Sequence, residues 1–132
     1  MITIIGDPVP KQRPRFANGH TYMPAKTKDY EALVAEAWKY HSGETYHGAV
    51  EITVRAYLKI PKSASKAARK MMEEGERRPT KRPDLDNLLK AVQDGLNGVA
   101  YDDDSQIVRA VSEKWYGDPR VEIEVKEVWR TQ

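Results

Sequence analysis

The sequence predicts an α+β fold in which helices pack on one side of a mixed β-sheet. Val50 to Leu58 alternate between apolar and polar side chains, as a half-buried strand does. Two longer segments carry apolar residues at helical spacing, and the last third of the chain returns to strand-like alternation. The predicted order is strand, basic hairpin, helix, strand, two helices and two strands, in a single domain over residues 1–132.

The amino-terminal elements follow from local signals. Residues 1–6 are rich in β-branched side chains, which predicts a strand that ends before two prolines. Asn18-Gly19 is typical of a tight hairpin turn. Thr27 is the predicted cap of a helix that runs to about His41. The apolar stripe of that helix is Tyr30, Leu33, Val34, Ala37 and Trp38.

Two further helices are predicted after the central strand. Ser63 or Ser65 caps a short one, and Asp84 or Asp86 caps one of roughly 12 residues that Gly98 terminates. The stripe of the longer helix is Leu85, Leu88, Leu89, Val92, Leu96 and Val99.

The carboxyl-terminal part is predicted to be a β-hairpin. Ile107 to Tyr116 and Arg120 to Arg130 flank Gly117-Asp118-Pro119, a turn signature. Trp115 and Trp129 are expected to cover the sheet or a subunit interface.

Composition excludes several classes of protein. The chain has no cysteine, which excludes disulfides and zinc–thiolate sites. No apolar run approaches the length of a membrane span and no signal peptide is visible, so a cytoplasmic protein without a membrane partner is expected. A phosphate-binding G-x-x-x-x-G-K loop is also missing.

Aspartates are concentrated at two places around the longer helix. Asp84 and Asp86 lie at its start, and Asp102, Asp103 and Asp104 precede the next strand. Mg²⁺ prefers a few carboxylate oxygens completed by water and phosphate, so this pattern predicts a metal site. The alternative is ordinary structure, namely a helix cap, an i, i+4 pair between Asp86 and Lys90, and a solvated turn.

Basic residues surround the acidic cluster. Positive surface attracts a phosphodiester backbone, which predicts DNA contacts, although basic runs are also common on solvated loops and helix faces. The candidate DNA-binding residues are Lys11, Arg13, Arg15, Lys66, Arg69, Lys70, Arg77, Arg78, Lys81 and Arg82. His20, His41 and His47 have no evident partner and are given no role.

The ordered motifs resemble the RusA family of Holliday-junction resolvases, whose pattern is D-L-D-N-x-x-K, a short helix, then D-D-x-Q. The matching segments are Pro83-Asp84-Leu85-Asp86-Asn87-Leu88-Leu89-Lys90, Asp94-Gly95-Leu96-Asn97-Gly98 and Tyr101-Asp102-Asp103-Asp104-Ser105-Gln106-Ile107. Alignment on Gln106 makes Asp103 and Asp104 the family's aspartate pair, because Asp102 lengthens the run to three.

This resemblance implies a fold, an activity and a site. The fold would be RusA-like and homodimeric, and the substrate a four-way DNA junction that is nicked at symmetric positions to leave 5′-phosphate and 3′-hydroxyl ends. The implied catalytic residues are Asp84, Asp86, Lys90, Asp103 and Asp104. The aspartates among them would hold Mg²⁺, with Mn²⁺ as a substitute. Small resolvases of this kind are often phage-borne.

Two other functions are consistent with the same residues. The chain could bind four-way junctions without cutting them, although the intact set of aspartates and Lys90 argues against this. It could also be a metal-dependent nuclease for flaps or other branched DNA. Cleavage of flaps, duplexes and junctions would separate these possibilities.

Overall fold

The computed structural model describes residues 1–128, so Trp129 lies outside the described residues. Three helices, six strands and one short 3₁₀ turn make up this part of the chain. In chain order they are β1 (Ile2–Ile5), β2 (Arg15–Ala17), β3 (His20–Tyr22), α1 (Ala25–His41), β4 (Val50–Leu58), α2 (Lys66–Glu73), α3 (Leu85–Leu96), the 3₁₀ turn (Asp104–Gln106), β5 (Ile107–Tyr116) and β6 (Arg120–Glu127). None of the helices in the described part has the length and hydrophobicity that a membrane span requires.

Four strands form a mixed sheet in the order β1-β6-β4-β5, which confirms the predicted α+β class. β4 is central, because it pairs in parallel with β5 on one side and antiparallel with β6 on the other. β2 and β3 form a separate two-stranded ribbon. Its turn has positive φ at Asn18 (53°) and Gly19 (77°), the geometry that a two-residue hairpin prefers.

The predicted hairpin between β5 and β6 is wrong, because β4 lies between them. The turn signature correctly marks a chain reversal, but it does not require the two strands to be neighbours. The connection must cross two strand spacings, about 10 Å. Three residues, at roughly 3.5 Å each, suffice. Gly117 lies over the end of β4, where its N–H donates to the Leu58 carbonyl at 2.9 Å.

Helices α1 and α3 pack against each other and cover one face of the sheet. The core includes Val34 and Trp38 from α1, Leu88 and Leu96 from α3, and Ile52 from β4. The predicted stripes are therefore largely confirmed. Leu33 and Leu85 are the exceptions, with exposed fractions of 49% and 41%.

One predicted helix cap is wrong and another is confirmed. α1 begins at Ala25, which leaves Thr27 buried inside the helix. Its hydroxyl donates to Gln12 Oε1 at 3.2 Å and so ties the amino-terminal segment to α1. Ser65 is the cap of α2, since its hydroxyl accepts the N–H of Ala68.

Candidate active site

The start of α3 presents two exposed carboxylates on a segment that is fastened to β5. Asp84 occupies the N-cap position but makes no side-chain capping bond, whereas Asp86 accepts the N–H of Asn87 at 3.1 Å. Lys114 on β5 donates to the carbonyls of Lys81 and Pro83, at 2.8 and 3.0 Å. Both aspartates are thus placed at a fixed helix start while their carboxylates remain exposed.

The second acidic segment is held in place by Gln106. The Gln106 Oε1 atom accepts the backbone N–H groups of Asp102 and Asp103, at 2.7 and 2.9 Å. Its Nε2 group donates to the carbonyls of Tyr46 and Gly48, at 2.9 and 2.8 Å. Only one orientation of the amide satisfies all four partners. Gln106 therefore connects residues 102–104, the acidic loop, to the segment that precedes β4.

Asp103 has a local role in that loop. Its carboxylate accepts the N–H of Ser105 at 3.0 Å and caps the 3₁₀ turn, and Gln106 completes a capping box. The hydrogen bonds with Ser105 lower the pKa of Asp103 below its usual 3.8, and the charge of Lys90 contributes in the same direction. Asp103 is consequently ionised at neutral pH.

Lys90 joins the helix to the acidic loop. Its Nζ atom lies 3.1 Å from Asp94 Oδ1 and 3.4 Å from Asp104 Oδ2. The hydrogen bond to Asp94 raises the pKa of Lys90 above 10.5, and Asp104 adds to the effect. Asp94, one helical turn after Lys90, is therefore its ion-pair partner, and the alternative pair between Asp86 and Lys90 is not formed.

His47, for which the sequence indicates no partner, has one in the structure. Its Nδ1 atom lies 2.8 Å from Asp102 Oδ2, and both side chains are exposed. The hydrogen bond with Asp102 raises the pKa of His47 above 6.5. Nothing in the sequence pattern connects these two residues, because the pair forms only when the segment before β4 meets the acidic loop.

The carboxylate oxygens of the aspartates are suitable ligands for a hard cation, but the aspartates are not clustered around one point. Within residues 1–128, no three carboxylate or imidazole groups lie close enough together to hold one ion. Magnesium needs only one or two protein carboxylates, because water and phosphate oxygens complete its shell. Asp84 and Asp86 make no ion pair within the described residues, and only Asp86 Oδ1 accepts a hydrogen bond there, so carboxylate oxygens of both remain open to such a cation.

A cleft adjoins the acidic helix start. It encloses about 580 Å³, and Arg13, Arg82, Asp84 and Asn87 lie along it together with Lys11 and three prolines. Two of the predicted DNA-binding arginines therefore lie beside a predicted catalytic aspartate. A larger cavity, of about 850 Å³, lies at the carboxyl-terminal ends of β4 and β5 and includes Arg69 but none of the candidate catalytic residues.

The other predicted DNA-binding residues are spread over several surfaces. Arg15 is exposed on the β2–β3 ribbon, and four predicted DNA-binding residues on or after α2 are exposed as well, namely Lys66, Lys70, Arg77 and Lys81. Arg78 is engaged within the protein, with its guanidinium carbon 3.3 Å from the ring centroid of Trp115 and its Nε donating to the Lys114 carbonyl. Trp115 belongs to β5, and the guanidinium of Arg78 covers its ring.

Comparison with known proteins identifies the family. The family model described as Endodeoxyribonuclease RusA matches residues 6–126. The chain is also 42% identical over 134 aligned residues to YqaN of Bacillus subtilis (strain 168), which is described as an uncharacterized protein. That alignment covers 96% of this chain and 94% of YqaN. The chain therefore belongs to the RusA family of endodeoxyribonucleases.

Proposed function

We propose that this protein is a Mg²⁺-dependent endonuclease that acts as a homodimer and resolves four-way DNA junctions by paired, symmetric nicks. The observation that carries the proposal is the ion pair between Lys90 of α3 and Asp104 of the acidic loop, since Asp84 and Asp86 lie at the start of the same helix. This ion pair supports the proposal because it connects the two family motifs.

Each group has a role that follows from its charge and place. Asp84, Asp86, Asp103 and Asp104 are the candidate ligands, of which one or two carboxylates would bind each Mg²⁺, and the bound metal would acidify a water and neutralise charge on the phosphate. Lys90 stays protonated and stabilises the negative charge that develops on the attacked phosphate. Arg13 and Arg82 bind the neighbouring phosphates in the cleft.

The homodimer is supported by the symmetry of the proposed substrate. A four-way junction offers two equivalent strands, and a twofold assembly supplies one site for each of them. Exposed cations of the ribbon and of α2, among them Arg15 and Lys66, would contact the junction arms.

A strand-specific nicking assay tests the proposal. Each strand of a synthetic junction is labelled in turn and incubated with Mg²⁺ or EDTA, using wild type, Asp84→Asn and the control Asp118→Asn, which changes a remote exposed carboxylate. We expect paired nicks that need the metal and fall about 100-fold or more in Asp84→Asn. Junction binding in EDTA should be kept by all three proteins.

Three results would contradict parts of the proposal. Binding without cleavage under Mg²⁺ or Mn²⁺ would leave a structural junction binder. Preferential cutting of flaps or duplexes would keep the metal site and remove the junction as substrate. Wild-type cleavage by Asp84→Asn would remove that aspartate from the site.

A further inference from the structure

A chain of alternating charges runs through the interior side of the candidate site. Lys11 Nζ lies 2.6 Å from Glu31 Oε1 and 2.9 Å from Asp94 Oδ2. Asp94 uses its other oxygen, Oδ1, for Lys90 Nζ at 3.1 Å, and Lys90 reaches Asp104. These ion pairs thus connect α1, the amino-terminal segment, α3 and the acidic loop.

The inner members of this chain are largely shielded from water. The exposed fractions of the Lys11, Asp94 and Glu31 side chains are 19%, 21% and 22%, against 49% for Lys90. Partial burial strengthens ion pairs and makes an unpaired charge costly. The inner pairs are therefore better fixed than the contact between Lys90 and Asp104 at the exposed end.

The Lys11 ammonium faces these carboxylates and is mostly shielded from solvent. Its backbone N–H donates to the Asn87 carbonyl at 2.9 Å, which holds the segment along α3. Burial lowers the pKa of Lys11, but the hydrogen bonds to Glu31 and Asp94 outweigh it and the pKa is raised. An ammonium with two carboxylates against it attracts a further phosphate much less than Arg13 does.

We propose that Lys11 and Asp94 are positioning residues that hold Lys90 against the acidic loop. Lysine has a long flexible side chain, so one exposed contact to Asp104 does not fix its ammonium. Asp94 supplies a second contact, and Lys11 fixes the Asp94 carboxylate by taking the oxygen that Lys90 does not use. This inference rests on the proposed function, because it assigns Lys90 a task in the nuclease.

The test separates binding from cleavage. Junction affinity is measured in EDTA, and the cleavage rate constant is measured with Mg²⁺ at saturating enzyme. The variants are Asp94→Asn, Asp94→Glu and Lys11→Met combined with Glu31→Gln, which removes a charge pair together and leaves no uncompensated Glu31. Glu36→Gln and Lys28→Met, both on the exposed side of α1, are the controls.

We expect the rate constant to fall about 10- to 100-fold in Asp94→Asn and in the double variant. Affinity should stay within about twofold of wild type, and Asp94→Glu should recover part of the rate. If Lys11 instead contacts phosphate, the double variant will bind more weakly, its salt dependence will lose about 0.9 in slope and its saturated rate will be unchanged. That result, or equal rates for Asp94→Asn and wild type, would overturn the inference.

A second readout does not depend on nuclease activity. The rate at which an N-hydroxysuccinimide ester acylates Lys90 is followed by peptide mass spectrometry, with the exposed Lys66 as internal reference. Loss of its partner should raise the relative labelling of Lys90 several-fold in Asp94→Asn. The rise should be smaller in the double variant, where Lys90 keeps an Asp94 that Lys11 no longer fixes, and the controls should show none. Unchanged labelling in folded variants refutes the positioning role. If wild type never cuts junctions but the labelling changes as expected, the proposed function fails and the positioning of Lys90 stands.

Discussion

Replacing Gln106 with glutamate is the sharpest test of how the acidic loop is held. Gln106→Glu preserves the shape of the side chain and keeps an oxygen for the N–H groups of Asp102 and Asp103. It replaces the Nε2 donor by an oxygen that faces the carbonyls of Tyr46 and Gly48 at 2.9 and 2.8 Å. Two attractive contacts thereby become repulsive ones.

The expected loss of stability follows from those two contacts. A hydrogen bond contributes about 1 kcal/mol net, so losing two lowers the free energy of unfolding by about 2 kcal/mol. For a domain of this size 1 kcal/mol corresponds to about 4 °C, which predicts a fall of about 8 °C in Tm. Loosening of the loop should also lower the cleavage rate about 100-fold, because the aspartates lose their placement.

The assay compares Gln106→Glu with Gln93→Glu, which adds the same charge to a neighbouring surface on α3. Thermal unfolding and single-turnover cleavage are measured for both, and only Gln106→Glu should show the combined loss.

The sign of the pH dependence is a further check. Nearby carbonyls and aspartates raise the folded-state pKa of the introduced carboxyl, and a protonated carboxyl can donate again. The penalty should therefore disappear below the unfolded value, about 4.3, and return as pH rises through the folded value. A Gln106→Glu protein as stable and active as Gln93→Glu would refute the bridging role of Gln106.

Two further predictions concern the helix pair and the histidine. A Cβ on Gly95 would lie 2.9 Å from Val34 Cβ and 3.0 Å from the Glu31 carbonyl oxygen. Gly95→Ala should therefore lower the free energy of unfolding by about 2 kcal/mol, although alanine has the better helix propensity. An unchanged free energy of unfolding in denaturant would contradict this packing. The pKa of His47 is raised above 6.5 by Asp102, so its stabilising contribution is present below 6.5 and is lost as pH rises through the folded value. His47→Ala should accordingly lower Tm at pH 6 and leave it unchanged at pH 8.5, and equal shifts at the two values would contradict the ion pair.

Elements with a strong local period could be predicted from the sequence, and the order of strands could not. The alternation of β4 and the stripe of α3 record which face of each element is buried. Strand neighbours are decided by pairing over long sequence distances, and the signature around Gly117 is compatible with a hairpin as well as with a crossing over β4. The prediction of a β5–β6 hairpin was wrong because the local sequence does not determine which strands pair.

In the candidate site too, contacts between residues close in sequence could be predicted and contacts between distant residues could not. Asp86 and Lys90 are one turn apart in α3, so their common face follows from the helical period, and Asp84 is the N-cap residue two positions before Asp86. Lys11 and Asp94 are far apart in the sequence, and a lysine in a run of cations indicates a phosphate contact by composition alone. In the folded protein Lys11 is partly buried beside Glu31 and Asp94, so its ammonium is the counter-ion of these two carboxylates. The fold therefore supports a phosphate contact more strongly at Arg13, which has no carboxylate partner in the described part of the chain, than at Lys11, which has two.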